Sequence, residues 1–173
     1  MQTGNSTNTM HSTPQRNIAG LSMMGIATLL AVTSVIVVIT LSSLRGMAIT
    51  ENESHAQSLL SAIAGSLNSQ VFAAPPSSLE EVTQSDSSLE SNLTDGEFLS
   101  KDGCLFVRHG YLFEWREEDA GGSILLVAWP FDLGQTGRTA FALTREGKLV
   151  THPNQALGWS GLDRRPSKIW PGL

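Results

Sequence analysis

Residues 21–44 read LSMMGIATLLAVTSVIVVITLSSL, and this stretch decides the architecture. It belongs to a charge-free run that begins at Asn17 and ends at Leu44, with Arg16 and Arg45 on either side. A helix needs about 20 apolar residues to cross roughly 30 Å of hydrocarbon, so the sequence predicts one transmembrane helix over residues 21–45. We expect its Ser and Thr hydroxyls to bond to backbone carbonyls, which makes them acceptable in lipid.

A second apolar stripe, at helical spacing, follows the run without a break. It predicts an amphipathic continuation of the helix over residues 46–72, with one apolar face. The residues of this face are Leu59, Leu60, Ile63, Leu67 and Val71. We interpret the stripe as a core face packed against the protein's own sheet. The alternative, an intermolecular coiled coil, is disfavoured because the charged e and g positions of a sustained heptad are absent.

The remaining segments divide by composition. Residues 1–20 form a polar leader. The prolines at 75 and 76 are predicted to end the helix. The Ser-rich and acidic residues 73–100 are then predicted to be a variable loop. Residues 101–173 contain short β-type runs joined by turns, followed by a Gly- and Pro-rich tail. The predicted strands are 104–108, 111–116, 124–129, 139–144 and 148–151.

Consecutive hairpins predict an antiparallel meander with one face on the helix and the other facing solvent. In the second run, Tyr111, Phe113 and Trp115 alternate onto one face. The fold class is therefore α+β, a long amino-terminal helix packed on a small antiparallel sheet. In the tail, Trp159 and Trp170 either cap a small core or form an exposed docking site.

Composition argues against several functional classes. The formal net charge is −5, and no basic stripe interleaved with aromatic residues is present, so we expect no nucleic-acid partner. One cysteine, Cys104, allows no internal disulfide. The histidines lack zinc-binding spacing, and neither a nucleophile elbow nor a phosphate loop is found. We therefore expect no catalytic residues, no metal and no cofactor.

The topology follows from the short leader. Charges on the two sides of the span nearly balance, but an unstructured leader is easier to retain in the cytoplasm than to translocate. We expect a single-pass protein of the inner (cell) membrane, with its amino terminus cytoplasmic and its carboxy-terminal domain periplasmic or extracytoplasmic. A cleaved signal peptide is the rival interpretation, but the apolar run is too long for one.

The stretch Ala19-Gly20-Leu21-Ser22-Met23-Met24, opening directly into the apolar helix, resembles the processing site of type IV pilins and type II secretion pseudopilins. The resemblance extends to the order of leader, span, amphipathic helix, variable loop and sheet, and it implies a short helix around residues 79–82. It implies cleavage between Gly20 and Leu21 by a prepilin peptidase, followed by methylation of the new amino terminus. It also implies assembly with other pilin-like subunits into a pilus or secretion filament for protein transport.

Gly25 departs from the family pattern. The fifth mature position is normally Glu, whose carboxylate neutralises the amino terminus of the adjacent subunit, and burying an unpaired charge in an apolar medium is costly. Tip subunits of this family lack that Glu, so Gly25 implies a minor or tip-like subunit. The alternative is an uncleaved single-pass membrane protein with an extracytoplasmic α+β binding domain, in which Gly25 is a close helix-packing position.

Overall fold

The computed structural model describes residues 23–69, 76–116 and 123–167. These residues form three helices and six strands. In chain order they are α1 Met23–Ser69, α2 Leu79–Ser85, α3 Ser87–Leu93, β1 Glu97–Phe98, β2 Leu105–Arg108, β3 Tyr111–Trp115, β4 Ile124–Pro130, β5 Thr139–Thr144 and β6 Leu149–Pro153. The α+β class is confirmed, with a long apolar helix and an antiparallel sheet.

The chain divides into two compact units, Met1–Thr40 and Leu41–Leu173, and the boundary falls within α1. In the first unit, α1 is long and apolar enough to cross a membrane. Its hydroxyls bond as the sequence predicted: those of Thr28, Thr33, Ser34 and Thr40 each donate to the carbonyl four residues earlier, at 2.8–2.9 Å. These bonds satisfy the hydroxyls within the helix, so the segment presents an apolar surface.

In the second unit, one face of α1 packs on the sheet. Leu60 and Ile63 are fully buried there, in one cluster with the side chains that β3 directs to the same side. Those side chains are Tyr111, Phe113 and Trp115, the set that alternation predicted. The later part of α1 therefore serves as the second layer of the core, as a small sheet requires.

The segment predicted to be a variable loop contains α2, α3 and β1. Ser78 caps α2 by accepting a hydrogen bond from Glu81 N at 3.2 Å, and Asp86 caps α3 by accepting one from Ser88 N at 3.0 Å. Both helices contribute buried apolar side chains to the cluster around α1. These are Leu79, Val82, Leu89 and Leu93.

The sheet is a meander in which each strand pairs antiparallel with the next, in the order β1-β2-β3-β4-β5-β6. All five predicted strands are present within two residues of their expected ends, and β1 was missed because it is only two residues long. Between β2 and β3, His109 and Gly110 have φ of 45° and 71°. Positive φ at both central residues gives the two-residue turn whose twist matches the flanking strands.

The prediction that the other sheet face meets solvent is wrong. Every residue of β4 is buried, and Trp129 packs in a second apolar cluster with Leu112 and Val127. The tail covers this face, since Trp159 is only 7% exposed and belongs to the same cluster. The reason is that β4 is apolar on both sides, a pattern typical of a strand covered on both faces.

Candidate functional site: the helix–loop seam and its surroundings

The residues that the sequence singled out lie in three places. Gly20, Leu21, Val71 and Trp170 lie outside the described residues. Gly25 lies near the start of α1, within its apolar part. Leu59, Leu60 and Ile63 are buried under the sheet, and Leu67 is partly buried against the same cluster.

Polar side chains of α1 hold the loop between β4 and β5. Arg45 donates from Nη2 and Nε to the carbonyl oxygen of Gly134, at 2.8 and 3.1 Å. Asn52 donates from Nδ2 to the carbonyl oxygen of Thr136 at 3.0 Å. Because these contacts join side chains to loop backbone, they set the position of residues 131–138 along the helix. We call α1 residues 45–53 together with this loop the helix–loop seam.

Glu53 contributes two hydrogen bonds to the seam. Its Oε1 accepts hydrogen bonds from the backbone N–H groups of Arg138 and Thr139, at 2.8 and 3.0 Å. These N–H groups lie where the loop enters β5. A carboxylate that receives two backbone donors makes charge-assisted bonds, which are stronger than neutral ones. Glu53 therefore fixes the start of β5 against α1.

Tyr111 completes the seam from the sheet side. Its hydroxyl donates to the carbonyl oxygen of Thr139 at 2.8 Å. Burial raises the pKa of Tyr111 well above its ordinary value, and the negative charge of Glu53 raises it further. Gly137 leaves room for the phenol, because a Cβ at that position would collide with the Tyr111 hydroxyl.

Two histidines meet beside the seam. His55 of α1 stacks on His109 of the β2–β3 turn, with ring centroids 4.4 Å apart. Asp95 binds His109 Nε2 at 2.8 Å and Arg108 Nε at 2.6 Å. The hydrogen bond from Arg108 holds the pKa of Asp95 below its ordinary value. This cluster ties the β2–β3 turn to α1, and the sequence did not predict it because its residues come from three distant segments.

The tail is held on the sheet by specific polar contacts. Asn154 is fully buried, and its side-chain amide bonds to both the N–H and the carbonyl of Trp159, at 3.0 and 2.6 Å. Trp129 Nε1 donates to the carbonyl oxygen of Gly161 at 2.9 Å. Ser160 Oγ accepts from Leu133 N at 3.0 Å, which links the tail to the seam loop. Of the two alternatives that the sequence left open for Trp159, the buried one, in which it caps a core, is the one observed.

Sequence reasoning missed the seam, although a signal was present. Arg45, Asn52 and Glu53 lie on the helical stripe that continues into Ala56, and polar residues on a buried stripe usually have specific partners. On its exposed side, α1 bears an open groove. It is lined by Ser43, Gly46, Met47, Thr50, Glu51, Ser54 and His55.

Within residues 23–69, 76–116 and 123–167, no group of three or more His, Cys, Asp or Glu side chains is arranged to hold a metal ion. The polar side chains of this region bind backbone groups and each other. Their role is therefore to hold α1, the loop and the tail in position. Comparisons with family models, with curated proteins and with solved structures found no match to this chain.

Proposed function

We propose that this chain is a membrane-anchored, pilin-like subunit, minor or tip-like, that acts by assembly. One observation carries the proposal. A single helix, α1, is apolar and exposed in its first part and contributes buried side chains to the main core cluster in its later part. Such a helix serves two environments, a lipid or lipid-like one and the protein's own sheet.

In this mechanism the prepilin peptidase cleaves after Gly20 at the cytoplasmic edge of the inner membrane, and the new amino terminus at Leu21 is methylated. The apolar part of α1 then leaves the bilayer for an equally apolar filament core, so its transfer involves little change in hydration. Gly25 supports a tip position, since no carboxylate is available there to neutralise a neighbour's amino terminus.

The exposed groove on α1 supports assembly with other subunits. Ser43, Gly46 and Thr50 are small, and a Cβ added at Gly46 would meet no atom within 4 Å. Small residues let a second helix approach closely, where van der Waals contact and backbone proximity stabilise the pair. The seam keeps this groove open because it holds the sheet on the other side of the helix.

The second candidate is an uncleaved single-pass protein whose α+β domain binds a partner outside the cytoplasm. The absence of Glu at Gly25 favours it as well, because a simple anchor needs no carboxylate in the span. Both candidates use α1 as the anchor. They differ in whether residues 1–20 remain attached.

Intact mass and amino-terminal sequencing of the membrane-extracted chain, with and without a co-expressed prepilin peptidase, separate the candidates. We expect a new amino terminus at Leu21 only when the peptidase is present, and no cleavage of a Gly20→Val variant under the same conditions. A chain that keeps residues 1–20 with active peptidase would refute the pilin-like proposal and support the single-pass anchor. Release of a cleaved chain into solution would support the signal-peptide interpretation.

A further inference from the structure

The last strand, β6, forms one edge of the sheet. The strand order places it beside β5, and no other strand of the described residues pairs with it. Thr144 N donates to the carbonyl oxygen of Lys148 at 2.9 Å, where the hairpin turn ends. At the far end, Asn154 N donates to the carbonyl oxygen of Arg138, also at 2.9 Å. The pairing of β6 with β5 is therefore fixed at both ends.

This pairing leaves backbone groups of β6 on the free edge. The N–H and C=O groups of successive residues point to opposite sides of a strand. Because Lys148 and Asn154 bond toward β5, the even-numbered residues between them do so as well, and Leu149, Thr151 and Pro153 point away. Pro153 has no N–H to offer. The free edge thus presents the N–H and C=O groups of Leu149 and Thr151, which bond to no other backbone group within residues 23–69, 76–116 and 123–167.

Exposed cations lie at both ends of this edge. Arg145 and Lys148 lie at the hairpin turn, and Arg138 lies at the other end of the β5–β6 pair. Glu146 is the one carboxylate among residues 138–153. Two copies joined at this edge would bring the cations of both together, and like charges oppose such pairing. A strand that carries carboxylates would instead meet charges of opposite sign.

We propose that the free edge of β6 is a docking site for an extended, acidic segment of a partner protein, which adds a strand to the sheet. In strand addition the main-chain hydrogen bonds give affinity, and alternate side chains give specificity. Here Leu149 and Thr151 form about four hydrogen bonds with the partner backbone, through one N–H and one C=O each. The partner's carboxylates lie near Lys148 and Arg138. Pro153 ends the docking site, because a proline cannot donate to the added strand.

This inference goes beyond the proposed function and does not depend on it, since it concerns residues of the second unit alone. The test uses the full chain in detergent micelles and short fluorescein-labelled peptides, whose binding is followed by fluorescence anisotropy. The probe is the peptide Glu-Val-Glu-Val-Glu-Val, and Lys-Val-Lys-Val-Lys-Val has the same pattern with the opposite charge. Thr151→Pro removes an N–H that faces away from β5, so the native sheet keeps its hydrogen bonds. Thr151→Val retains this N–H and the shape of the side chain, and it is the matched control.

We expect the acidic peptide to bind the wild-type chain and Thr151→Val about tenfold more tightly than it binds Thr151→Pro. The wild-type chain should also prefer the acidic peptide to the basic one. The double variant Arg138→Glu, Lys148→Glu should reverse this preference, and it tests the proposal even if Thr151→Pro does not fold. Amide hydrogen exchange gives a direct readout of the edge. The N–H groups of Leu149 and Thr151 should exchange rapidly in the free chain and slowly with the acidic peptide bound.

Several results would overturn the proposal. Equal affinity of the acidic peptide for the wild-type chain and Thr151→Pro, with unchanged exchange at Leu149 and Thr151, would show charge attraction without strand addition. Absence of binding would exclude the docking site. Slow exchange of both N–H groups in the free chain would show that the edge is already occupied, by a second copy if dilution makes the exchange fast. None of these results bears on cleavage after Gly20, so the proposed function would stand in each case.

Discussion

Replacement of Glu53 tests whether the seam holds the sheet on α1. One carboxylate oxygen of Glu53 accepts two backbone hydrogen bonds, from Arg138 and Thr139. A hydrogen bond to a charged group contributes roughly 1.5–3 kcal/mol, so two bonds at the lower end sum to about 3 kcal/mol. Glu53 is half-buried, so in Glu53→Ala water can partly take the place of the carboxylate as the acceptor for the two N–H groups. We therefore expect this substitution to lower the free energy of unfolding by about 2 kcal/mol.

The chain contains a matched control two residues away. The side chain of Glu51 is 73% exposed, and it makes an ion-pair contact with His55 at 3.8 Å. Glu51→Ala makes the same chemical change on the same helix, and we expect it to alter the free energy of unfolding by less than about 0.5 kcal/mol. Glu53→Gln keeps an acceptor oxygen without its charge, so it should lower the free energy of unfolding by about 1 kcal/mol.

Urea unfolding of the full chain in detergent micelles, followed by tryptophan fluorescence, measures these differences. The fluorescence reports the second unit, because Trp115, Trp129 and Trp159 are all buried in its two clusters. A second readout is independent of stability. The charge of Glu53 contributes to the raised pKa of Tyr111, so Glu53→Gln should lower that pKa. Equal losses for Glu51→Ala and Glu53→Ala would refute the role assigned to Glu53.

Three further predictions concern the cores and the seam. Ile63→Ala should lower the free energy of unfolding by about 2–5 kcal/mol because it opens a cavity in the main cluster, whereas Gly65→Ala, at an exposed helical position with open space around it, should raise it by about 0.5–1 kcal/mol. Urea unfolding measures both, and changes of the same sign would contradict the assigned helix face. Gly137→Ala should cost about 1–3 kcal/mol through its collision with Tyr111, and a double-mutant cycle with Tyr111→Phe should recover part of that loss; zero coupling would disprove the contact. Above pH 10.0, the ordinary pKa of Tyr, the wild-type chain should lose stability relative to Tyr111→Phe, because the raised pKa keeps the phenol neutral in the folded state while the unfolded chain ionises. Tyrosinate absorbance follows this ionisation directly, since the chain has one Tyr, and titration of the folded chain at the ordinary pKa would contradict it.

The strands were predictable because their residue types and the turn residues between them both indicate β-structure. β-branched and aromatic residues alternate or run together for four to seven residues, and Gly-containing turns such as His109-Gly110 separate them. The segment between α1 and β2 was predicted less well. Its apolar residues are sparse, and α2 and α3 are seven residues each, too short for periodicity to distinguish them from a loop.

The partners of the seam side chains were not predictable from residue types. Asn52 and Glu53 read as solvated polar residues near a helix stripe, and their partners are backbone groups more than eighty residues later. Backbone donors and acceptors carry no sequence signature, so no pattern indicates which loop a helix side chain will bind. The stacking of His55 on His109 was hidden for the same reason.

The sequence by itself determined that α1 begins as an apolar run and continues as an amphipathic helix, and that a β-meander follows it. Both depend on local rules, namely the length of an apolar run, helical and strand periodicity, and turns between adjacent strands. What only the tertiary structure decided is the covering of the second sheet face by Trp159 and the fixing of the loop to Arg45 and Glu53. These contacts join segments distant in the chain, and they form only after the sheet has brought buried apolar surface and unpaired backbone groups to positions where the tail and the helix satisfy them.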